Sequence, residues 1–230
     1  RYRAKRIEGI NFGVNANFMV INTNMLFAWL DDSLGLYRGY PGAVFLEDQV
    51  LFNVDPFIKY TTKNGLSHSL QTRVFHSDNV ISNNQSNKGT MYFGEYQIQR
   101  KFKSIDLNFI AGTTGNVSYS SSRLYVSSGQ PDNKIVNTSA YIQFDKKFWR
   151  ILNLSGGVRY ENFKINNLKN DDAFIYRFGG NLQLTRGTFI RSSYGTGYRY
   201  PTITERYITT KAGMFGVFPN PDLKPEKSKS

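Results

Sequence analysis

Leu152-Asn153-Leu154-Ser155-Gly156-Gly157-Val158-Arg159-Tyr160-Glu161 decides the fold: Leu152, Leu154, Gly156, Val158 and Tyr160 alternate with Asn153, Ser155, Gly157, Arg159 and Glu161. Successive side chains of a β-strand leave opposite faces, so a two-residue period held over about ten residues marks a strand with one apolar and one polar face. The pattern recurs in Phe174 to Leu184, where Phe174, Tyr176, Phe178, Gly180, Leu182 and Leu184 alternate with Ile175, Arg177, Gly179, Asn181 and Gln183. It recurs in Tyr92 to Gln99 and in Val54 to Thr61, while helical periodicity is nowhere sustained. Strands are expected over 8–20, 24–31, 54–62, 66–77, 89–100, 105–114, 135–146, 151–163, 172–183 and 187–197, with another starting near Pro225.

The connectors come in two sizes that take turns. Short ones fall at Asn22-Thr23, Lys63-Asn64-Gly65, Lys101-Phe102-Lys103-Ser104, Lys146-Lys147-Phe148 and Thr185-Arg186-Gly187; Asn64-Gly65 is a hairpin signal because both residues tolerate positive φ. Long polar stretches separate them: 31–53, 77–89, 114–134, 164–171 and 198–224. Short turns at one end and long loops at the other describe an up-and-down membrane barrel, and strands of about ten tilted residues cross the hydrocarbon. A soluble sandwich shows no such asymmetry.

The 230 residues carry a net charge of +12, no cysteine, 18 Phe and 15 Tyr. Without cysteine there is no disulfide framework, thiolate metal site or thiol nucleophile. A basic, aromatic-rich chain suits either nucleic-acid binding or a barrel with aromatic girdles; Tyr60, Tyr160, Tyr176 and Tyr194 near strand ends suit the girdles. A mean hydropathy of −0.45 fits a barrel, whose strands turn alternate side chains to a polar lumen. No run of 18 apolar residues forms a spanning helix, and Arg1-Tyr2-Arg3-Ala4-Lys5-Arg6 is not a signal peptide. Both ends are expected to be cuts within a longer chain. Open sheet edges in lipid carry unpaired N–H and C=O groups, so the first and last strands are expected to pair with strands beyond 1–230.

No enzymatic chemistry is indicated. His68 and His76 read as ordinary strand positions, since two residues make no metal site. Asp31-Asp32, Asp171-Asp172, and Asp55 with Glu95 lack catalytic spacing, and neither a phosphate loop nor a Gly-x-Ser-x-Gly elbow occurs. No cofactor is expected. Arg73, Arg159, Arg177 and Arg191 sit at polar strand phases; they either line a lumen and favour anions or pair with carboxylates such as Glu95 and Glu161. Lys101, Lys103, Lys146 and Lys147 read as solvated turn residues, and Tyr207, Phe215 and Phe218 in the last long loop are candidates to stack on a ligand.

The last 45 residues carry two motifs. Residues 188–207, with Gly195, Gly197, Arg199, Pro201 and Glu205, resemble the ascending strand and loop base of TonB-dependent receptors; Asn220-Pro221-Asp222-Leu223-Lys224-Pro225-Glu226-Lys227-Ser228 is similar to the segment that opens the family's next descending strand. The resemblance implies a barrel of about 22 strands around an N-terminal plug. Residues 1–230 would form part of that barrel, without the plug or the barrel's C-terminus. It also implies active uptake of a scarce nutrient, foremost an iron-siderophore-like chelate, across a Gram-negative outer membrane. Its partners would be membrane lipid, the protein's own plug and the inner-membrane TonB complex, with no nucleic acid. The rivals are a passive porin-like or structural barrel and a soluble basic β-protein that binds nucleic acid. Locally, Gly195 and Gly197 permit close strand approach, Pro201 stops ladder pairing, and Asn220-Pro221 and Lys224-Pro225 bracket re-entry to the sheet. Thr202-Ile203-Thr204-Glu205 reads either as irregular loop or as a capping box opening a short surface helix.

Overall fold

The computed structural model describes residues 2–3, 8–31, 33, 38–82, 84–212 and 215–230. Its main sheet has 11 antiparallel strands joined in chain order. They are β1 (Tyr2–Arg3), β2 (Ile10–Leu26), β3 (Val44–Thr61), β4 (Leu66–Ile81), β5 (Asn87–Phe102), β6 (Leu107–Ser122), β7 (Asp132–Phe148), β8 (Leu152–Ile165), β9 (Asp171–Gln183) and β10 (Phe189–Arg199), followed after the last loop by β13 (Glu226–Lys229). That loop holds a short helix, α1 (Ile203–Tyr207), and a small hairpin of β11 (Thr210–Ala212) and β12 (Phe215–Val217). The sheet ends at β1 and β13, which do not pair with each other. It is an all-β, up-and-down segment of a barrel wall.

The register confirms the two-faced reading. Ala16, Val54, Val74, Tyr92, Val117 and Val136 form one unbroken apolar row across β2 to β7. Side chains on this face stand open, with Phe18 at 72% and Phe174 at 67% of full exposure. A water-soluble protein does not leave so continuous an apolar surface bare; hydrocarbon is its solvent. Tyr60, Tyr160, Tyr176 and Tyr194 all share its phase. So do both histidines: His68 Nδ1 meets the Tyr96 hydroxyl at 2.7 Å and His76 Nδ1 meets Thr90 Oγ1 at 2.8 Å.

Several boundaries differ from the sequence reading. No turn occurs at Asn22-Thr23: the stretches 8–20 and 24–31 meet in β2, which pairs continuously with β3 from Ile10↔Tyr60 to Leu26↔Val44 and ends there, short of residue 31. Asn22 is a rung of that ladder, donating to Asp48 Oδ1 at 2.6 Å. Much of the long stretches 31–53, 77–89 and 114–134 is strand, because β3 starts at Val44, β4 runs to Ile81, β5 starts at Asn87 and β6 runs to Ser122. The turn expected at Lys146-Lys147-Phe148 lies just beyond β7, where Trp149 and Arg150 take positive φ. Asp32 lies outside the described residues. The four turns at 62–65, 103–106, 149–151 and 184–188 remain at one end of the sheet, and the longer loops lie at the other.

Candidate functional site

The polar face carries the chemistry. Arg73 on β4 opposes Asp55 on β3 and grips it through two bonds, Nε–Oδ1 at 2.7 Å and Nη2–Oδ2 at 2.6 Å, a bidentate fork that fixes both side chains. Asn53 adds a bond to the same carboxylate at 3.1 Å. Two adjacent rows then cross β5 to β8: Glu95, Thr114, Ser139 and Glu161, and beside them Gln97, Gly112, Tyr141 and Arg159. The Tyr141 ring lies over Gly112 and its hydroxyl donates to Glu95 at 2.7 Å while accepting from Gln97 at 3.1 Å. Arg159 Nε binds Glu161 at 2.6 Å, and its guanidinium sits 6.0 Å from the Tyr141 ring centre. Arg177 and Arg191 share this face, and among the described residues neither meets a carboxylate. Arg177 stands between Gly157 and Gly195, with its stem lying against Gly195.

Two of the larger recesses lie on this face. One of about 670 Å³, at the short-turn end, has Lys101, Lys147 and Arg191 around Asn153, Ser155 and Ser193. The other, about 610 Å³, surrounds the Arg73–Asp55 pair between Phe57 and Phe93. Both are of small-molecule size. The sequence therefore left the arginines open between two roles, and the structure divides them: Arg73 and Arg159 meet carboxylates, and among the described residues Arg177 and Arg191 do not. Glu95 serves Tyr141 rather than an arginine.

At the long-loop end the two sequence motifs form one clasp. Arg199 at the end of β10 donates to Glu226 of β13 through Nε (3.0 Å) and Nη2 (2.8 Å), and through Nη1 to Glu205 of α1 (2.8 Å). Glu205 closes the capping box by accepting the Thr202 N–H at 2.8 Å, while its own N–H bonds Thr202 Oγ1 at 3.1 Å. That backbone bond, with Arg199 behind it, holds the Glu205 carboxyl below the usual carboxylate range. Arg206 reaches the Leu223 carbonyl at 2.7 Å, which fixes the Asn220–Pro225 segment. Pro201 is buried and ends the ladder of β10. Gly197 leaves room for the Ser228 side chain, into which a Cβ would run. The helix is half buried rather than superficial: Ile203 (4% exposed) and Tyr207 (5%) pack with Tyr125, Phe163, Ile165 and Tyr200 on the polar face. Phe163 and Tyr200 stack at 4.0 Å. Burial also pushes the Tyr200 hydroxyl well above its ordinary pKa, and that hydroxyl donates to the Asp171 carbonyl.

From this cluster the chain continues across the loops as a strap. Ser127 Oγ donates to the Tyr207 carbonyl (3.0 Å), the Thr209 N–H to the Leu124 carbonyl (2.8 Å), and Thr210 Oγ1 to Gln85 Oε1 (2.6 Å). Phe215 then meets Phe27 edge-on at 5.7 Å. One segment thus ties the top of β10 to the loops after β6, β4 and β2. Of the aromatics expected to face a ligand, Tyr207 is spent on this packing, whereas Phe215 (54%) and Phe218 (77%) are exposed. Sequence reasoning missed Tyr125, Tyr141 and Tyr200; Tyr141 announced itself only as a large side chain on the polar phase of β7.

A family model described as TonB dependent receptor-like, beta-barrel matches residues 2–230. Over 55 residues, 24% of the chain, it is 42% identical to the hemoglobin and hemoglobin-haptoglobin-binding proteins C and B of Haemophilus influenzae; the match covers 5% of their length. In fold it resembles the alcaligin outer membrane receptor FauA of Bordetella pertussis, with a TM-score of 0.62 at 11% identity over 85% of this chain and 34% of that one. The chain thus spans about a third of the solved receptor it superposes on. With its apolar belt, polar inner rows and clasped motifs, the chain belongs to the TonB-dependent receptor β-barrel family.

Proposed function

We propose that the chain is part of the barrel wall of an outer-membrane receptor that actively imports a scarce nutrient into a Gram-negative cell, with an iron-siderophore-like chelate as cargo. The observation that carries this reading is the division of one sheet into a hydrocarbon-facing belt and a hydrogen-bonded polar face roofed by the strap. In it the polar face, with Arg73, Glu95, Arg159, Glu161, Arg177 and Arg191, lines the lumen and meets the plug and the passing cargo. The exposed Phe215 and Phe218 contact cargo at the outer mouth. Energy comes from the inner-membrane TonB complex acting through the plug, so the reading needs no chemistry on bound substrate. The names of the Haemophilus relatives favour a second cargo, haem iron delivered by a host protein. The apolar belt argues against a soluble nucleic-acid binder despite the charge of +12. The strap argues against an open porin.

The test is uptake by cells in which the full-length gene is deleted and restored. Under iron limitation, deletion is expected to abolish import of one iron source, siderophore or haem, and a protonophore should do the same. Import that survives collapse of the inner-membrane potential would identify a passive pore instead. Unchanged import of every iron source would reject iron as the cargo.

A further inference from the structure

Charge on the polar face changes character from the loop end to the short-turn end. Toward the loops each carboxylate has its partner: Asp55 is held by Arg73, Glu95 by the Tyr141 hydroxyl, and Glu161 by Arg159. Below them the pattern reverses. Arg177 stands one row on from Arg159, and Lys101 follows in the next row, opposite Asn108. Lys147 and Arg191 close the last row, with Asn153 and Asn181 between them. All four cations are exposed, and among the described residues none meets a carboxylate. At ~3.3 Å per residue Arg191 lies about 13 Å nearer the short turns than Arg177, and three strand spacings put Lys147 and Arg191 about 14 Å apart at Cα. The recess of about 670 Å³ opens between them. Its floor is low, because Ser155, Gly179 and Ser193 form one row, and a Cβ on Gly179 would stand 2.9 Å from Ser155 Oγ. Lys101, Lys147 and Arg191 face two carboxylates in the lining: Asp145, which accepts from Gln143 at 3.4 Å, and Asp106 in the 103–106 turn. Lys146 is spent on the Ile105 carbonyl.

We propose that Arg177, Lys101, Lys147 and Arg191 form a descending path for a carboxylate-bearing cargo, and that the recess between Lys147 and Arg191 is its last binding site before release at the short-turn side. This rests on the import reading above and narrows its cargo to iron complexes that carry carboxylates. What matters is which charges are already matched. An anion gains little from Arg73, whose guanidinium is gripped by Asp55 in a bidentate fork. The four unmatched cations attract it, and low-dielectric walls focus that field along the face. Moving from Arg177 into the recess, the anion exchanges one cation for three, so the inward step is favourable. The Ser155 and Ser193 hydroxyls and the Asn153 amide supply neutral donors for the carboxylate oxygens. Asp106 and Asp145 offset part of the attraction, which keeps the site weak enough to release what it binds. A cationic chelate meets the same four charges as a barrier.

The experiment restores the full-length receptor to a deletion strain and follows three radiolabelled iron probes. Ferric citrate and haemin carry carboxylates; ferrioxamine B is cationic and has none. Wild type is expected to import ferric citrate or haemin and not ferrioxamine B. The double variant Lys147→Gln/Arg191→Gln should slow that import about tenfold, the lower end of what electrostatic focusing supplies. Binding of the probe to the surface of de-energised cells should stay unchanged. Lys147→Arg/Arg191→Lys, which keeps both charges, should import at the wild-type rate. So should Lys59→Gln, which removes a polar-face cation on β3, away from the path. Import of ferrioxamine B by wild type, import of none of the probes, or an undiminished rate in the glutamine variant would each overturn the proposal. Loss of surface binding in that variant, or an equal slowing in the charge-conserving variant or in Lys59→Gln, would do the same. Vancomycin sensitivity of the glutamine variant would also overturn it, by showing that the cations hold the plug in place instead. Failure of the import reading is a separate result, in which deletion leaves uptake of every iron source unchanged.

Discussion

Gly112 on β6 has no side chain because the Tyr141 ring occupies the space: a Cβ there would come within 2.6 Å of the ring and 2.8 Å of the Tyr96 carbonyl. Gly112→Ala must displace Tyr141 and break its bond to Glu95. Overpacking of this kind costs about 1–3 kcal/mol. Denaturant unfolding of the full-length receptor should show that loss, while Gly115→Ala, three residues on with nothing within 4 Å of its Cβ, should lie within about 0.5 kcal/mol of wild type. Glu205 supports a pH prediction. Its carboxyl is held down by the Thr202 N–H and by Arg199, so it stabilises the clasp fully above the ordinary glutamate pKa, about 4.3. That contribution is lost as pH falls through the lower folded value. Proteolytic nicking of the 208–225 loop should therefore rise several-fold on acidification below pH ~4. Glu205→Gln should nick faster at neutral pH and show a smaller acid step, the remainder coming from Glu226, which Arg199 also holds down, and an unchanged acid step in that variant would count against the role of Glu205 in the clasp. The motif residues were legible in sequence as punctuation, but their mutual contacts were not: Arg199 and Glu226 lie 27 residues apart and meet only because β13 pairs with β10.

At the level of the strand, alternation was legible only where one face is greasy. Within the belt, β8 and β9 read correctly to within a residue or two. Past the belt both faces are wet, so Asn79, Ser82, Ser118 and Ser120 look like loop although most of them are strand. A strand of 17 residues such as β2 is about 55 Å long at ~3.3 Å per residue, far beyond the hydrocarbon. The same effect produced the false turn at Asn22, whose side chain marks where the belt ends rather than where the chain turns. The face assignment makes a sharp element-scale prediction. Leu70, between Ile58 and Tyr96 in the belt, should lose about 2–4 kcal/mol of folding free energy on change to Arg. Gln71, one residue on and facing the polar side, should accept Arg within about 1 kcal/mol. Equal costs at the two positions would mean that the faces are reversed or both wet. Those arginines were half legible: strand phase put Arg177 and Arg191 on the polar face, but nothing local could say that, of these four and among the described residues, Arg73 and Arg159 find carboxylates and the other two do not.

At the scale of the whole molecule, the open sheet and the strap make different demands. The outer edges of β1 and β13 carry backbone groups that hydrocarbon cannot satisfy, so both edges are expected to pair with further strands in the membrane. Residues 1–230 expressed alone are accordingly expected to aggregate in detergent, and a monodisperse, protease-resistant monomer would contradict this. The strap works from within the wall. Its contacts are two hydrogen bonds to the loop after β6, two to Gln85 after β4 (the second from Gln85 Nε2 to the Lys211 carbonyl at 3.1 Å) and one ring pair after β2, each worth about 1 kcal/mol, beyond a buried cluster at Tyr207. It is therefore held by a buried cluster at α1 and by fewer contacts further along, so on the import reading proposed above entering cargo is expected to lift the distal part. The Thr209 N–H bond to the Leu124 carbonyl brings the two backbones within about 5–6 Å, inside disulfide range. The 230 residues contain no cysteine to compete. A Leu124→Cys/Thr209→Cys receptor should import its cargo poorly when oxidised and recover on addition of a reductant, with cargo binding at the cell surface retained in both states. If oxidised receptor imports at the reduced rate, the strap is part of the fixed mouth and cargo passes beside it.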